Sequence, residues 1–374
     1  MEKTIAHLDL DTFFVSCERL QNSKLNGIPV IIGGGDRGVV ASCSYEARYY
    51  GVRSAMPIRM ALKLCPEAKV IKGDHEQYSK LSNEVTEIIQ EKVPLVEKAS
   101  IDEFYLDLTG MDRFFGCYQW TTEVAESIKK NTGLPISFAV SANKTVAKIG
   151  TGEAKPLGRI EIPNREIQPF LNPLSIKKIP MVGNVTFQLL SRIGKKKKKT
   201  LLQQMIGKNG AELWKKANGI DDSPVVPYSE RKSLSAEHTF AQDSIDLENM
   251  RSLISGMVEQ LAFQLRQEKW LTSVVTIKIR YANFDTETKQ CRISHTSADH
   301  TLLKYALELF KKLYTRRMRL RLIGIRFSGL VHGSHQMLLF ENTEVLMNLY
   351  QSMDRIKNRF GKTAVGRASG LLIQ

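Results

Sequence analysis

At 374 residues with 42% apolar content, the chain has room for about two to four compact units with ordinary cores. No apolar run approaches the ~18 residues of a membrane span and no basic segment leads into an apolar one at the N-terminus, so no membrane association and a cytoplasmic location are expected; the five cysteines, odd in number and without close pairs, read as reduced thiols. The net charge of +15 is unevenly spread: residues 1–165 carry 21 basic and 21 acidic side chains, so the whole excess lies beyond them and suits a polyanion gripped by the second half.

In chain order, residues 4–9, 101–108 and 135–141 read as short apolar strands, with helices over 121–131 and 143–152 and a further helix near 77–91. Asp9 and Asp11 stand at the end of the first strand, and Asp102 and Glu103 open the second. Carboxylates there are costly to bury alone. Strand-end capping or ion pairing would compensate them, and so would two divalent cations about 3.5–4 Å apart, the arrangement that serves in-line phosphoryl transfer. The cluster Gly33-Gly34-Gly35-Asp36-Arg37-Gly38 lacks the ending of a phosphate loop and precedes a strand-like Val39-Val40-Ala41, so a hairpin turn is expected. Residues 166–228 are helical with short loops. Within them Ile179-Pro180-Met181-Val182-Gly183 before a helix resembles a helix-hairpin-helix turn, with Met181 where the first glycine usually stands, and five lysines follow from Lys195 to Lys199.

After a polar hinge at 229–233, the pattern gives a strand at 235–241, a helix at 246–268, strands at 272–281 and 287–295, a helix at 300–314 and a strand at 318–331. This is a β-α-β-β-α-β split motif. Alternation buries Val275, Ile277, Ile279 and Tyr281 and sets Lys278 and Arg280 on the opposite face. The pentapeptide Gln336-Met337-Leu338-Leu339-Phe340 follows, then an amphipathic helix over 345–359 and a basic tail over 360–374.

Five words in one order carry a resemblance: Leu10-Asp11-Thr12-Phe13-Phe14, Ser42-Cys43-Ser44-Tyr45-Glu46-Ala47-Arg48 with Gly51-Val52-Arg53-Ser54-Ala55-Met56-Pro57 behind it, Ser100-Ile101-Asp102-Glu103, Ser141-Ala142-Asn143-Lys144, and Ala154-Lys155-Pro156-Leu157-Gly158. Over nearly the whole chain they resemble the Y-family DNA polymerases, and among them the bacterial DNA polymerase IV group. The resemblance implies an α+β, right-hand, multidomain fold. Its parts would be a palm (1–19 and 74–165), small fingers (20–73), a helical thumb with the helix-hairpin-helix (166–228), a linker and little finger ending in a clamp-binding peptide (229–341), and a helical, basic tail (342–374).

For function it implies a template-directed polymerase of low fidelity without proofreading, copying past damaged template. Asp9, Asp102 and Glu103 would be the catalytic carboxylates, holding two Mg²⁺ with the Leu10 carbonyl. Ser42, Tyr45, Arg48 and Lys155 would grip the triphosphate, and Phe14 would be the steric gate against a 2′-hydroxyl. Asp11 and Asp107 match no family role and are read as structural. Gly183, Lys195, Arg231, Lys278 and Arg280 would meet the DNA backbone, and Gln336, Leu339 and Phe340 a sliding clamp. The partners are then primer–template DNA, deoxynucleoside triphosphates and the clamp, with the polymerase itself a monomer. Two other readings stay open: a catalytically silent DNA- and clamp-binding accessory relative, which should lack some of the carboxylates, and a nucleotidyl cyclase, which has no use for a helix-hairpin-helix or a clamp peptide.

Overall fold

Strand β1 (Ile5–Leu10) is covered on both faces, which is why its residues are buried almost without interruption. The computed structural model describes residues 3–35, 37–111, 116–191, 199–333 and 343–368, and the chain divides into two compact units, 1–229 and 230–374.

In the first unit β1 leads into α1 (Phe13–Gln21). An inserted lobe follows with β2 (Val30–Ile32), β3 (Ser42–Cys43), α2 (Tyr45–Tyr49), α3 (Ile58–Leu64) and β4 (Lys69–Ile71). Next come α4 (His75–Lys92), β5 (Val96–Lys98), β6 (Glu103–Asp107), α5 (Cys117–Thr132), β7 (Ile136–Ser141), α6 (Lys144–Ala154) and β8 (Arg159–Ile162). The main sheet has the order β5-β6-β1-β7-β8, with β1 antiparallel to both neighbours. Leu8 and Leu10 join Val85, Ile89, Val124 and Ile128 of α4 and α5 in one core. Because side chains alternate along a strand, His7 and Asp9 take the other face, on which α6 lies. The short edge strands β5 and β8 are additions to what the sequence pattern predicts.

The inserted lobe is a three-stranded sheet, β3-β2-β4, with a small core that includes Ile31, Cys43, Ala47 and Ile58. The glycine cluster forms the connection between β2 and β3, as expected for a turn. At Gly38 a Cβ would fall 1.7 Å from the Gly34 carbonyl oxygen, so the loop closes only on glycine. Val39-Val40-Ala41 is not a strand, contrary to the sequence reading. Val39 makes only an isolated bridge to Pro57, and Val40 packs into the lobe's core.

Helices α7 (Ile167–Leu171), α8 (Asn184–Ser191), α9 (Lys199–Ile206) and α10 (Lys208–Ala217) follow, with Ile179, Leu190, Leu202 and Leu213 in their core. The chain then returns along the main sheet. Asn143 Nδ2 donates to the Gly219 carbonyl (2.8 Å), Thr145 Oγ1 to Asp221 (2.6 Å), and the Val226 N–H to Glu97 (2.7 Å).

The second unit contains β9 (Ser233–Ser244), α11 (Leu247–Gln267), β10 (Trp270–Tyr281), β11 (Thr286–Thr296), α12 (Asp299–Leu313), β12 (Leu320–His332) and α13 (Thr343–Phe360). Its antiparallel sheet has the order β11-β10-β12-β9, so β12 splits the β9-α11-β10 pair. Val275, Ile277, Ile279 and Tyr281 face the helices as alternation predicts. The tail helix α13 is docked on α11 and α12: Arg266 forms a two-pronged pair with Asp354 at 2.8 and 2.9 Å and a second pair with Asp299. Tyr350 lies under the Arg266 guanidinium, 4.8 Å from centroid to carbon, and its hydroxyl meets His300 Nδ1 at 2.7 Å.

Candidate active site

Antiparallel register places Asp9 directly opposite Glu103, and the Leu10 N–H donates to the Asp102 carbonyl at 3.0 Å. Two acids far apart in sequence thus meet at one end of the sheet. Each has found a cation: Lys155 Nζ sits on Asp9, and Lys148 Nζ, from α6, on Glu103. Asp102 accepts from Ser100 Oγ at 2.5 Å, and the same oxygen accepts the Glu103 N–H at 3.0 Å, closing the turn before β6. Burial raises Asp9 to about 7, and the charges of Asp102 and Glu103 push the same way against Lys155. Such a site is short of positive charge. Its all-oxygen donors suit a hard divalent cation, so the residues fit that group. Among the described residues no three His, Cys or acidic side chains stand in a coordinating arrangement; Asp9 and Glu103 are paired with Lys155 and Lys148.

His7, two residues before Asp9 on the same face, is 1% exposed, and burial with three nearby lysines drives its pKa well below the usual value. It stays neutral at physiological pH. The open space beside Asp9 and Glu103 is a cleft of about 480 Å³ that reaches Lys177, Lys178 and the hairpin at Met181 and Gly183.

Asp11 is 2% exposed. Its carboxylate accepts from Ser137 Oγ (2.7 Å), the Leu157 N–H (2.8 Å) and the Tyr45 hydroxyl (3.3 Å), and lies 3.9 Å from Lys155 Nζ. Tyr45 begins α2, whose first turn is capped by Ser44 Oγ accepting from the Ala47 N–H at 3.3 Å. Burial and the Asp11 charge keep its phenol protonated far above physiological pH. The Arg48 guanidinium stands 5.0 Å over the Tyr45 ring, and Ser42 is half-buried in β3. Phe13 and Phe14 divide their roles at the start of α1: Phe13 is 2% exposed in the core, whereas Phe14 is half-buried. The Phe14 ring stacks on Tyr78 (4.6 Å) with the His75 edge at 5.4 Å.

At the hairpin, Met181 takes the left-handed conformation (φ 74°) in which glycine is usual, and a Cβ on Gly183 would meet nothing within 4 Å. In the second unit Lys278 and Arg280 share the sheet face away from the helices. Lys278 is paired with Glu237 (2.8 Å), and Arg280 Nε donates to Thr286 Oγ1 (2.8 Å). Arg231 is paired with Glu268 at 2.8 Å. Arg326, opposite Thr276, adds an exposed guanidinium to the same face, which sequence reading passed over although the alternation Gly324-Ile325-Arg326 announces it. Lys148 was also passed over; it lies one helical turn from Lys144 on the face of α6 that meets the acids. Lys195, Gln336, Leu339 and Phe340 lie outside the described residues.

Known proteins resemble this chain along most of its length. The profile of the impB/mucB/samB family matches residues 8–152, and that of the impB/mucB/samB family C-terminal domain matches 231–339. The DNA polymerase IV of Desulfatibacillum aliphaticivorans is 35% identical, covering 98% of this chain and 97% of the relative. That of Alkaliphilus oremlandii is 32% identical over 99% of both. A solved Y-family DNA polymerase chimera, Dbh-Dpo4(243-245)-Dbh, superposes with a TM-score of 0.76 at 25% identity, covering 88% of this chain and 100% of the other. No helix among the described residues is long and apolar enough to cross a membrane. With two domain profiles in order and relatives matching end to end, the chain belongs to the impB/mucB/samB family, the Y family of DNA polymerases.

Proposed function

We propose that this DNA-directed DNA polymerase copies past damaged template, adding deoxynucleotides by phosphoryl transfer at Asp9, Asp102 and Glu103 with two Mg²⁺. The observation that supports this reading above others is the cross-strand pairing of Asp9 with Glu103 beside an open cleft lined by lysines. The bound cations would activate the primer 3′-hydroxyl and neutralise the leaving pyrophosphate. The three carboxylates and the Leu10 carbonyl would hold them. Lys155, Arg48, Tyr45 and Ser42 bind the triphosphate, two by charge and two by neutral hydrogen bonds. Lys155, which compensates Asp9 in the free protein, exchanges that carboxylate for phosphate when nucleotide arrives. The Phe14 ring, held by Tyr78, excludes a 2′-hydroxyl. A fingers lobe of three short strands and two short helices makes few contacts with the nascent pair, which leaves room for a distorted template base.

Primer extension with Mg²⁺ on intact and damaged templates tests the proposal. Asp102→Ala should lose extension by more than a thousandfold while primer–template binding, measured on the same protein, persists. Near-normal extension would sink the assignment. The polymerase acts as a monomer tethered to a sliding clamp through Gln336, Leu339 and Phe340, a peptide whose apolar anchors suit a hydrophobic groove. Replacing Leu339 and Phe340 with Ala should shorten products made with loaded clamp and leave clamp-free synthesis unchanged. Equal stimulation of both proteins would place any clamp contact elsewhere.

A further inference from the structure

We infer that Asp11 is a positioning residue for nucleotide binding, holding the Tyr45 hydroxyl and the Lys155 loop in one geometry; this rests on reading Tyr45 and Lys155 as triphosphate ligands. A buried carboxylate must be satisfied by donors, and the donors of Asp11 come from three separate parts of the first unit. Tyr45 belongs to α2 of the inserted lobe, Ser137 to β7 of the main sheet, and Leu157 to the loop that carries Lys155. One carboxylate therefore fixes the lobe to the sheet and the loop to both.

The loop needs that anchor. Leu157 has φ +52°, a region that costs a residue with a Cβ, and its N–H donates to Asp11 at 2.8 Å. The next N–H, that of Gly158, donates to Ser137 Oγ at 3.2 Å, which itself donates to Asp11. Lys155 leaves this loop with its ammonium between Asp9 and Asp11, 3.9 Å from the latter. On the other side, the Tyr45 hydroxyl has one proton and gives it to Asp11 over a long 3.3 Å bond. That bond is weak enough to be exchanged for a phosphate oxygen while the phenol keeps its place. Asp11 holds no atom of the nucleotide itself and acts through these two groups.

The test is steady-state nucleotide kinetics on a saturating primer–template. Asp11→Ala should raise KM for the incoming nucleotide at least tenfold, with kcat lowered less and DNA affinity unchanged. Asp11→Asn keeps an oxygen for Leu157 and Ser137 and offers Tyr45 an amide, so KM should return to within about threefold of the parent. If Asp11→Ala does not fold, Asp11→Glu, which displaces the carboxylate while keeping its charge, should show the raised KM instead. In a double-mutant cycle, Tyr45→Phe should cost less in the Asp11→Ala background than alone. An unchanged KM with only kcat reduced, or fully additive effects, would overturn the proposal and leave Asp11 a fold residue. Tyr45→Phe and Lys155→Ala are measured beside it. If neither raises KM the triphosphate assignment itself fails, whereas if both do and Asp11→Ala does not, only the positioning role fails.

Discussion

Phe13 and Phe14 are adjacent and chemically identical, and helical geometry separates them. At 100° per residue, the ring at 13 turns into the core, where it is 2% exposed, and the ring at 14 stays half-buried. Phe14 is held there by Tyr78, stacked at 4.6 Å and fixed in turn by its hydroxyl's bond to Glu18 at 2.5 Å. The proposed gate works only if it cannot swing away, and this stack removes that freedom. Phe14→Ala should therefore raise kcat/KM for ribonucleotides relative to deoxynucleotides by a hundredfold or more, on the order of the ~3 kcal/mol that one steric clash commands. Incorporation kinetics with matched nucleotide pairs read this directly. An unchanged ratio would assign Phe14 to packing.

Elements were legible in the sequence where one physical signal dominated. The apolar runs of β1, β6 and β7 and the amphipathic helices around them follow from burial and periodicity, and so does the order of the second unit. Strands β5 and β8 were not legible, because Lys98, Arg159 and Glu161 give them the polar look of edge segments and only pairing with neighbours makes them strands. Val39-Val40-Ala41 misled in the opposite way, since its apolar character serves a side-chain core instead of a ladder. At the site, the carboxylates and Lys155 were legible as words, but Lys148 was not, since it reaches Glu103 only through the α6 crossing. The docking of α13 was equally hidden, for it depends on Arg266 finding Asp354 from another element. Asp354→Ala would leave Arg266, 11% exposed, with Asp299 as its remaining acidic partner beside the Ser297 carbonyl, and should cost about 3 kcal/mol. Hydrogen exchange should then show α13 opening ahead of the sheet, and limited proteolysis should release the tail. Protection equal to that of the parent would mean that packing by Tyr350 holds the helix without the ion pair.

At the scale of the whole molecule, charge and chemistry are separated along the chain. The first 165 residues are electrically neutral and contain the three proposed catalytic carboxylates, and the +15 excess follows them. A polyanion held by phosphate contacts releases counterions, so affinity should fall linearly on a log–log salt plot, with a slope set by the number of contacts. The open face of the second sheet presents Lys278, Arg280 and Arg326, but Lys278 spends its charge on Glu237, its neighbour across β12. Simple counting of cations on that face therefore overstates the proposed grip. Replacing Lys278 with Ala removes one cation and frees one anion, a double loss for DNA binding. Glu237→Gln does the reverse: it keeps the side chain's shape, removes the competing carboxylate and turns Lys278 toward the backbone. That variant should bind primer–template more tightly than the parent at low salt, with the slope steeper by about one unit, and show no sequence preference. Fluorescence anisotropy across a salt series measures both quantities. If Glu237→Gln leaves the slope where it was, Lys278 makes no phosphate contact, and the grip rests on Arg280, Arg326 and the first unit's hairpin.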